Sequence, residues 1–288
     1  MKRGVLLALI GLAAVAAVVG VLGYREGWFS GETPKEPDPP SVRPKPQLSP
    51  KEERAKLITT SGLARLKSLK QASPKDLQKA IAMWGKDKGI EREISWQAVR
   101  AGLKGTENGQ TRIRCCQLAT ALARKPADAP IPSPADPAAI DPLMTCLKSE
   151  DTGLITAAVN ALCTMDLTYP ALKIKGNVLP DVRRLVASGD PAKASAGLTA
   201  VVFLRETAMA PDVIEAWERH AKVSGFTDRS CSKLRILLEL KIRADLKKKN
   251  PEWKQRKCAE EARKQLPALF ERLERDPAKW KAYWAAGK

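Results

Sequence analysis

The chain has 288 residues, and 44% of them are hydrophobic, which is enough for most of the chain to fold around a core. It carries 50 Lys and Arg residues against 32 Asp and Glu residues, which gives a net charge of +18. The single histidine, His220, excludes every zinc motif that needs two histidines, and the absence of a C-x-x-C pair among the six cysteines excludes zinc ribbons and thioredoxin-like redox sites.

The first predicted element is an apolar run of 21 residues without a charge, residues 4–24. As a helix rising about 1.5 Å per residue it is ~30 Å long, which matches the hydrocarbon core of a bilayer. Lys2 and Arg3 precede the run, so the short amino-terminal tail is expected to stay cytoplasmic while the rest of the chain crosses. We therefore predict that residues 1–29 form a membrane anchor, a single-pass transmembrane helix.

A cleaved signal peptide is the alternative interpretation of residues 1–29. Residues 21–23 (Val-Leu-Gly) offer a weak cleavage site, although the apolar run is long for a signal peptide. Both interpretations place the bulk of the chain outside the cytoplasm, in the periplasm if the cell is Gram-negative. The membrane is therefore an expected partner through residues 4–24.

The second predicted element is a proline-rich linker over residues 30–50. Residues 31–50 hold seven of the 21 prolines of the chain. Because proline lacks the backbone N–H and fixes φ, the segment is expected to be extended, close to polyproline II. We predict a stalk, with a proline-rich ligand for another domain as the alternative.

From residue 51 onwards the predicted elements are helices, and no strand alternation is convincing. Helix-capping residues precede several of them, such as Ser49 and Ser73 and the Asp-Pro pairs at 136–137, 190–191 and 276–277. Pro267 is expected to kink or split its helix. The predicted ranges are 51–69, 74–87, 91–104, 109–125, 137–148, 152–165, 178–188, 191–206, 211–223, 227–249, 251–275 and 277–286.

Many of these helices form pairs in which a short apolar-faced helix, a tight turn and an Ala-rich helix follow one another. The leucines that close the first helices, Leu103, Leu147 and Leu185, are 44 and 38 residues apart. The proline-rich stretch 126–137 interrupts the pattern only as a loop. A period near 40 residues with two helices per unit predicts an α-solenoid.

These units resemble HEAT/armadillo-type repeats. The resemblance lies in the Val-Arg steps at 99–100 and 182–183, in the polar turns at 149–151 and 188–190, and in the Ala- and Leu-rich second helices; it covers roughly residues 91–245. It implies an all-α protein with capping helices over 51–90, HEAT-like helical hairpins over 91–249 and basic helices over 250–288. A nonrepeating helical bundle is the alternative.

No catalytic motif is recognised in the chain, and we expect no enzymatic activity, no cofactor and no metal site. A serine in G-x-S-x-G, a phosphate-binding loop and a calcium-loop spacing are all missing. The cysteines are expected to be buried small side chains, or to form disulfides, Cys231 with Cys258, or Cys115 or Cys116 with Cys146 or Cys163. An enzyme of a HEAT-like class, such as a DNA glycosylase or a bilin lyase, would require the domain to lie in the cytoplasm.

The carboxyl-terminal residues 241–288 carry 15 basic and 7 acidic groups, with aromatic residues between them. Such a surface binds polyanions, because cations neutralise phosphate while aromatic rings stack or insert. Predicted export of the chain argues against nucleic acid and favours anionic lipid or an acidic protein. A terminal helix attached by its aromatics to the last repeat is the alternative. The polyanion-binding candidates are Lys247, Lys248, Lys249, Trp253, Trp280 and Trp284.

The favoured functional hypothesis is a membrane-tethered scaffold for protein–protein interaction in the cell envelope, since solenoids offer long surfaces to extended partners. The protein partner is not identified by the sequence. Candidate contacts are basic positions on the predicted second helices, Arg112, Arg114 and Arg235, and on a first helix, Arg183 and Arg184. The alternative hypothesis is a binding module for anionic lipid or another polyanion through 241–288.

Overall fold

A computed structural model describes residues 49–104, 107–124 and 135–286. The predicted anchor over 1–29, the linker up to residue 48 and most of the 126–137 loop lie outside these ranges. Within them, no helix has both the length and the apolar composition needed to cross a bilayer. The described residues form α-helices and short 3-10 turns, and none of them is in a strand, which confirms the predicted all-α class.

The first two helices begin where their capping residues predict. Helix α1 spans Pro50–Gln71, and Ser49 forms a complete capping box with Glu52. Helix α2 spans Pro74–Trp84, with the Ser73 side chain accepting from the backbone N–H of Asp76. In both cases Pro at the first helical position costs no hydrogen bond, because that N–H has no partner inside a helix.

The remaining helices follow the predicted order and differ from it mainly at their ends. Their bounds are α3 Gly89–Leu103, α4 Gly109–Ala123, α5 Ile140–Cys146, α6 Thr152–Thr168, α7 Ile174–Val186, α8 Pro191–Phe203, α9 Ala210–Arg219, α10 Phe226–Lys249, α11 Gln255–Leu273 and α12 Pro277–Ala286. The 3-10 turns are Pro137–Ala139, Pro170–Leu172 and Thr207–Met209.

Proline placement accounts for two of the differences. Helix α11 runs through Pro267 without a break, so the proline does not split it. Helix α7 begins four residues earlier than predicted and holds Pro180 in its interior. Pro180 lacks the N–H that would bond the carbonyl of residue 176, but five buried side chains hold the helix to its neighbours, and this packing outweighs the lost bond.

The helices pack in two rows, and most contacts join helices that are one or two positions apart in the chain. One row, named here the second row, joins α2, α4, α6, α8, α10 and α11 through successive contacts. The other, the first row, contains α1, α3 and α5 in contact, and α7, α9 and α12 in contact. Helices α3 and α4, α5 and α6, α7 and α8, and α9 and α10 form hairpins between the rows. This order is consistent with a helical repeat fold.

Small residues allow the hairpin helices to approach closely. In α8 the backbone N of Val186 would lie 2.7 Å from a Cβ added at Gly197, so the α7–α8 contact accepts only glycine there without movement. Ala194, Ala200 and Ala158 are fully buried at similar contacts. The Ala-rich character of the predicted second helices therefore follows from the short distance between helix axes.

Cationic side chains connect the α3–α4 hairpin and the α9–α10 hairpin to the end of an earlier helix. Arg114 donates to the carbonyls of Leu69 and Lys70 at the end of α1, and Arg219 donates to the carbonyl of Val186 at the end of α7. The last carbonyls of a helix have no partner inside it and carry the negative end of its dipole. A cationic side chain from the next unit donates hydrogen bonds to these carbonyls and also balances the negative end of the helix dipole.

Candidate functional site

A large cavity in the described part of the chain is a groove along the second row of helices. It has a volume of about 1070 Å³ and is open along its length. Four helices supply its floor and walls, α2, α4, α6 and α8. The residues that line it are Leu77, Gln78, Ile81, Ala82, Ile113, Gln117, Thr120, Ala121, Arg124, Thr152, Gly153, Thr156, Ala157, Asn160, Thr164, Ala192 and Phe203.

A second cavity of about 400 Å³ continues the groove towards α10. It shares Thr156 and Ala192 with the larger cavity and adds Ser195 and Thr199 of α8, with Val223 and Arg229 at its far side. The two cavities together make one surface that follows the second row from α2 to the start of α10. We call this surface the second-row groove.

On α6, polar residues spaced four positions apart form a stripe that faces the groove. Thr152, Thr156, Asn160 and Thr164 lie on one side of the helix, while Leu154, Leu162 and most of its other apolar residues are buried against neighbouring helices. Residues four apart share a helix face. The polar stripe therefore marks the side of α6 that no other helix covers.

Four of the five threonine hydroxyls that line the groove donate to carbonyls of their own helices. Thr156 donates to the carbonyl of Thr152 at 2.8 Å, Thr164 to that of Asn160 at 2.7 Å, and Thr120 and Thr199 do the same one turn back in α4 and α8. The hydrogens of these hydroxyls are therefore not available to a ligand, and the threonines present methyl groups and acceptor oxygens to the groove.

Three side-chain amides are further polar groups of the groove. Gln78, Gln117 and Asn160 line it, and in the described chain their amides make no hydrogen bond to another residue. Each amide has two donor hydrogens and an acceptor oxygen. These groups can pair with a backbone or a side chain placed in the groove.

The charge of the second-row groove is positive. Arg124 and Arg229 are the charged residues that line the two cavities, and both are exposed. No carboxylate is among the described lining residues. The groove therefore suits a ligand that combines apolar groups with a few negative charges.

Comparison with protein-family models, curated proteins and solved structures found no match to this chain. Only the residues of the chain itself therefore indicate a function. In the described ranges, no three His, Cys, Asp or Glu side chains are grouped closely enough to hold a metal ion.

Three of the five arginines predicted to bind a partner are held by contacts inside the protein. Arg114 bonds to the end of α1, as described above. Arg184 donates to the carbonyl of Leu147 at 3.0 Å and pairs with Asp181, and the Arg112 guanidinium donates to the sulfur of Cys146 at 3.4 Å. These three side chains stabilise contacts between helices, and none of them lines the second-row groove.

The other two predicted arginines lie on the surface. Arg183 is 67% exposed and is 3.7 Å from Asp212, while Arg235 is exposed and stacks over the ring of Phe270. The two therefore remain accessible to a partner. They lie on α7 and α10, and the structure does not bring them together with the groove.

Of the three lysines predicted to bind polyanions, one is hydrogen-bonded inside the protein and two are accessible. Lys247 donates to the carbonyl oxygens of Pro251 and Trp253, the latter at 2.8 Å, and so holds the turn after α10. Lys248 and Lys249 are exposed, and no ion pair involves them among the described residues. Their charge is uncompensated at the end of α10.

The three predicted tryptophans have different surroundings. Trp280 is fully buried, donates to the carbonyl of Glu274 at 3.1 Å and packs edge-on against Phe270, so it lies outside any ligand-binding surface. Trp284 is half-buried beneath Lys241. Trp253 is half-buried, with the Lys257 ammonium 4.1 Å from its ring centre. Of the three, only Trp253 lies beside the accessible lysines.

The groove residues were not among the predicted sites, although a signal for them is present. Thr, Asn and Gln recur at helical spacing on the Ala-rich second helices, and a continuous polar stripe on such a helix indicates an uncovered face. The stripe is not distinctive in the sequence, because small polar side chains also occur throughout ordinary helix surfaces.

Proposed function

We propose that the chain is a membrane-tethered helical-repeat scaffold that binds an acidic segment of a partner protein in its second-row groove. The observation that carries the proposal is the groove itself, which is continuous over four helices and has positive but no negative charge among its described lining residues. Residues 4–24 supply the tether, which places the partner in the cell envelope.

An α-solenoid of HEAT-like hairpins is the architecture that this proposal assumes. Its support is the order of helix contacts, in which each second-row helix meets the next and the hairpins stack in sequence. A single hairpin cannot bury its apolar face alone, whereas stacked hairpins cover each other and leave one long surface open. The capping helices of the stack are α1 and α2 at one end and α11 and α12 at the other.

The dimensions of the groove fit a short segment of chain. Packed helices lie about 8–10 Å apart, so the four helices from α2 to α8 present roughly 27 Å of surface. An extended segment covers this length with about eight residues at ~3.3 Å each. Its apolar side chains would meet Ile81, Ile113 and Phe203, and its carboxylates would meet Arg124 and Arg229.

Selection from a random peptide library tests the proposal on the full chain in neutral detergent. We expect the enriched peptides to combine acidic and apolar residues. The Thr156→Phe substitution fills an exposed position of the groove and should weaken peptide binding about tenfold or more, which is ~1.4 kcal/mol of binding free energy. Fluorescence polarisation of labelled peptides measures the loss.

Charge reversal gives the matched control for the groove. Arg124→Glu should weaken binding and reduce its salt dependence, because it replaces an attractive charge with a repulsive one. Arg183→Glu makes the same change on the first row and should leave the affinity unchanged. Equal binding by wild type, Thr156→Phe and Arg124→Glu would contradict the groove as the binding site.

The tether is tested separately from the groove. The full chain should sediment with membranes and resist extraction at alkaline pH, whereas a chain that lacks residues 1–29 should not. Recovery of the intact chain in the aqueous fraction would contradict the tether and would leave the groove proposal standing. Protease accessibility in intact cells then reports on which side of the membrane the helices lie.

Anionic lipid is a second candidate ligand, favoured by the lysines at the α10–α11 turn. Lys248, Lys249, Lys254 and Lys257 are exposed there around Trp253, and no ion pair involves them among the described residues. By contrast, three basic residues of α11 form ion pairs, Arg256 with Glu260, Arg263 with Glu239 and Lys264 with Glu261. Each lysine close to an anionic surface contributes about 1 kcal/mol of attraction.

Retention on phosphatidylserine-coated beads in neutral detergent tests the second candidate. The triple variant Lys248→Gln, Lys249→Gln, Lys254→Gln should lose retention at low salt and leave Lys247 to hold its turn. The control removes the same charge from α1 through Lys51→Gln, Lys56→Gln and Lys67→Gln, all exposed positions. Equal retention of the two triple variants would exclude a specific role for the turn.

A further inference from the structure

Each helix of the second row from α2 to α8 is followed by an exposed cationic side chain. The four residues are Lys86 after α2, Arg124 after α4, Lys173 after α6 and Arg205 after α8. Within the described ranges their side chains make no ion pair and no hydrogen bond. We call these four residues the carboxyl rim, because they follow the carboxyl ends of the helices that form the second-row groove.

Contacts between neighbouring helix ends place the carboxyl rim on one side of the groove. A Cβ added to Gly85, directly after α2, would lie 2.9 Å from the Cβ of Ala121 in the last turn of α4. Lys175 pairs with Glu206 at 2.9 Å, which joins the chain that follows α6 to the chain that follows α8. The carboxyl ends of α2 and α4, and those of α6 and α8, therefore lie side by side.

The opposite side of the groove carries acidic residues. Asp151 and Asp190 cap the amino ends of α6 and α8. A Cβ added to Gly109, the first residue of α4, would lie 3.0 Å from Oδ2 of Asp151, so α4 and α6 run in the same direction. Beside these caps, Glu150 pairs with Lys193. A segment bound in the groove therefore has cations along one side and carboxylates along the other.

Three described carboxylates close to the carboxyl rim in sequence are bonded to other residues. Asp87 pairs with Arg65, and Glu206 pairs with Lys175. Asp166 accepts a hydrogen bond from the backbone N–H of Lys175 at 2.9 Å. These carboxylates do not neutralise the rim cations, whose charge is available to a ligand.

Two of the rim residues adopt a backbone conformation that favours glycine. The φ angle is +50° at Lys173 and +52° at Arg205, and a side chain in this left-handed region costs stability that glycine would not. Their backbone N–H groups bond to the carbonyls of Pro170 and Val202, while the side chains are exposed. A strained position occupied twice by a long cation without an internal partner indicates a role in binding.

We infer that the carboxyl rim selects partner segments in which acidic residues recur at every third position. The inference rests on the proposed function, since it specifies the acidic pattern of the segment bound in the second-row groove. Packed helices lie about 8–10 Å apart, so the rim cations recur at about that distance. A polyproline II segment has three residues per turn and rises about 3.1 Å per residue, so residues three apart lie on one side at ~9 Å.

The backbone of such a segment also suits the groove. Polyproline II has no internal hydrogen bonds and forms without proline, so its N–H groups are free to donate. The hydroxyl oxygens of Thr156 and Thr164, whose hydrogens are bonded to their own helix, can accept from them. Acidic side chains then point to the carboxyl rim, and the side chains between them contact the groove.

Two synthetic peptides of identical composition test the acidic pattern on the full chain in neutral detergent. The spaced peptide has glutamate at every third position among apolar residues, and the grouped peptide has the same glutamates together at one end. We expect the spaced peptide to bind about tenfold more tightly, measured by fluorescence polarisation of a terminal label. Identical composition ensures that net charge and hydropathy do not account for the difference.

The triple variant Lys86→Gln, Lys173→Gln, Arg205→Gln tests the rim without changing a residue that lines the groove. It should bind the spaced peptide about tenfold more weakly, with a smaller salt dependence, and should lose the preference over the grouped peptide. The control removes the same charge from exposed positions of α1 through Lys51→Gln, Lys56→Gln and Lys67→Gln, and should bind as the wild type does.

Glycine at the two left-handed positions separates binding from stability. Lys173→Gly and Arg205→Gly should each raise the midpoint of thermal unfolding, because glycine adopts a positive φ without strain. Combined, they should weaken binding of the spaced peptide. A lower midpoint in both variants would show that the two side chains stabilise the fold, which would overturn their assignment to binding.

Equal affinity of the wild type for the two peptides would overturn the inference, as would unchanged binding by the triple rim variant. If Thr156→Phe still weakens peptide binding in either case, the groove proposal stands without the acidic pattern. If neither peptide binds to the wild type, the inference and the groove proposal both fail.

Discussion

At the residue scale, many charged side chains of this protein bind backbone carbonyls. Arg114, Arg184 and Arg219 each reach the end of a helix in an earlier unit, and His220 lies 2.9 Å from the carbonyl of Ser188 just beyond α7. The sequence shows which residues are basic, but it cannot show which carbonyls lie within reach. For that reason the arginines were predicted to face a partner, whereas three of the five are engaged inside the fold.

Arg114→Met tests the contact between α4 and the end of α1. It keeps most of the apolar stem but leaves the carbonyls of Leu69 and Lys70 without their donor. We expect the free energy of unfolding to fall by about 1–3 kcal/mol, measured by urea denaturation. Arg183→Met is the control, since an exposed pair is worth at most ~1 kcal/mol, and an equal loss in both variants would contradict the capping role.

Two glycine substitutions test the close approach of α7 and α8. Gly197→Ala places a Cβ 2.7 Å from the backbone N of Val186, which cannot move without displacing the helix, so we expect a loss of about 1–3 kcal/mol. Gly176 lies in the first turn of α7, where an added Cβ meets nothing within 4 Å, so Gly176→Ala should raise stability by up to ~1 kcal/mol. Thermal and urea unfolding of both variants measure the difference, and a shared sign would refute the packing argument.

At the element scale, the sequence predicts helices well because their ends carry local signals. The capping residues Ser49, Ser73 and Asp190 accept hydrogen bonds from the first turns of the helices they were predicted to begin. Helix α7 begins earlier than the sequence predicts, because a proline such as Pro180 is typical of the first turn of a helix. Its presence in the helix interior depends on tertiary packing. The sequence does not specify which helices pack against each other, and the burial of Trp280 depends on that packing.

Two tryptophan substitutions distinguish stability from ligand binding at the carboxyl-terminal helices. Trp280→Ala removes a fully buried ring that holds α12 against Phe270 and should cost about 3–5 kcal/mol of unfolding free energy. Trp253→Ala changes a half-buried ring and should alter stability far less, while reducing retention on phosphatidylserine beads. A larger stability loss for Trp253→Ala than for Trp280→Ala would show the assignment to be wrong.

At the scale of the whole molecule, most contacts among the described helices join helices that are one or two positions apart in the chain. The predicted pairing of helices α3 to α10 is confirmed as hairpins, because alternating apolar and Ala-rich helices report which elements form a unit. The groove could not be predicted as a site, since its residues come from four helices and only the stacking places them on one surface. The solenoid and its HEAT-like character remain predictions.

Hydrogen exchange tests the consequences of this neighbour-to-neighbour packing. Helix α2 has one buried residue, Leu77, whereas α6 has nine, so opening α2 exposes far less apolar surface. We expect amide protection to be greatest in α6 and α8 and lowest in α2, measured by mass spectrometry on the full chain. Uniform protection across α2 to α8 would indicate a single cooperative unit instead.

The threonine hydroxyls that bond back onto their own helices set a rule for what can lie beside them. These threonines present methyl groups and acceptor oxygens to the groove, and the N–H groups of a bound segment can donate to those oxygens. Proline supplies none. The predicted linker has seven prolines between residues 31 and 50, so we expect it to be a poor ligand for the groove.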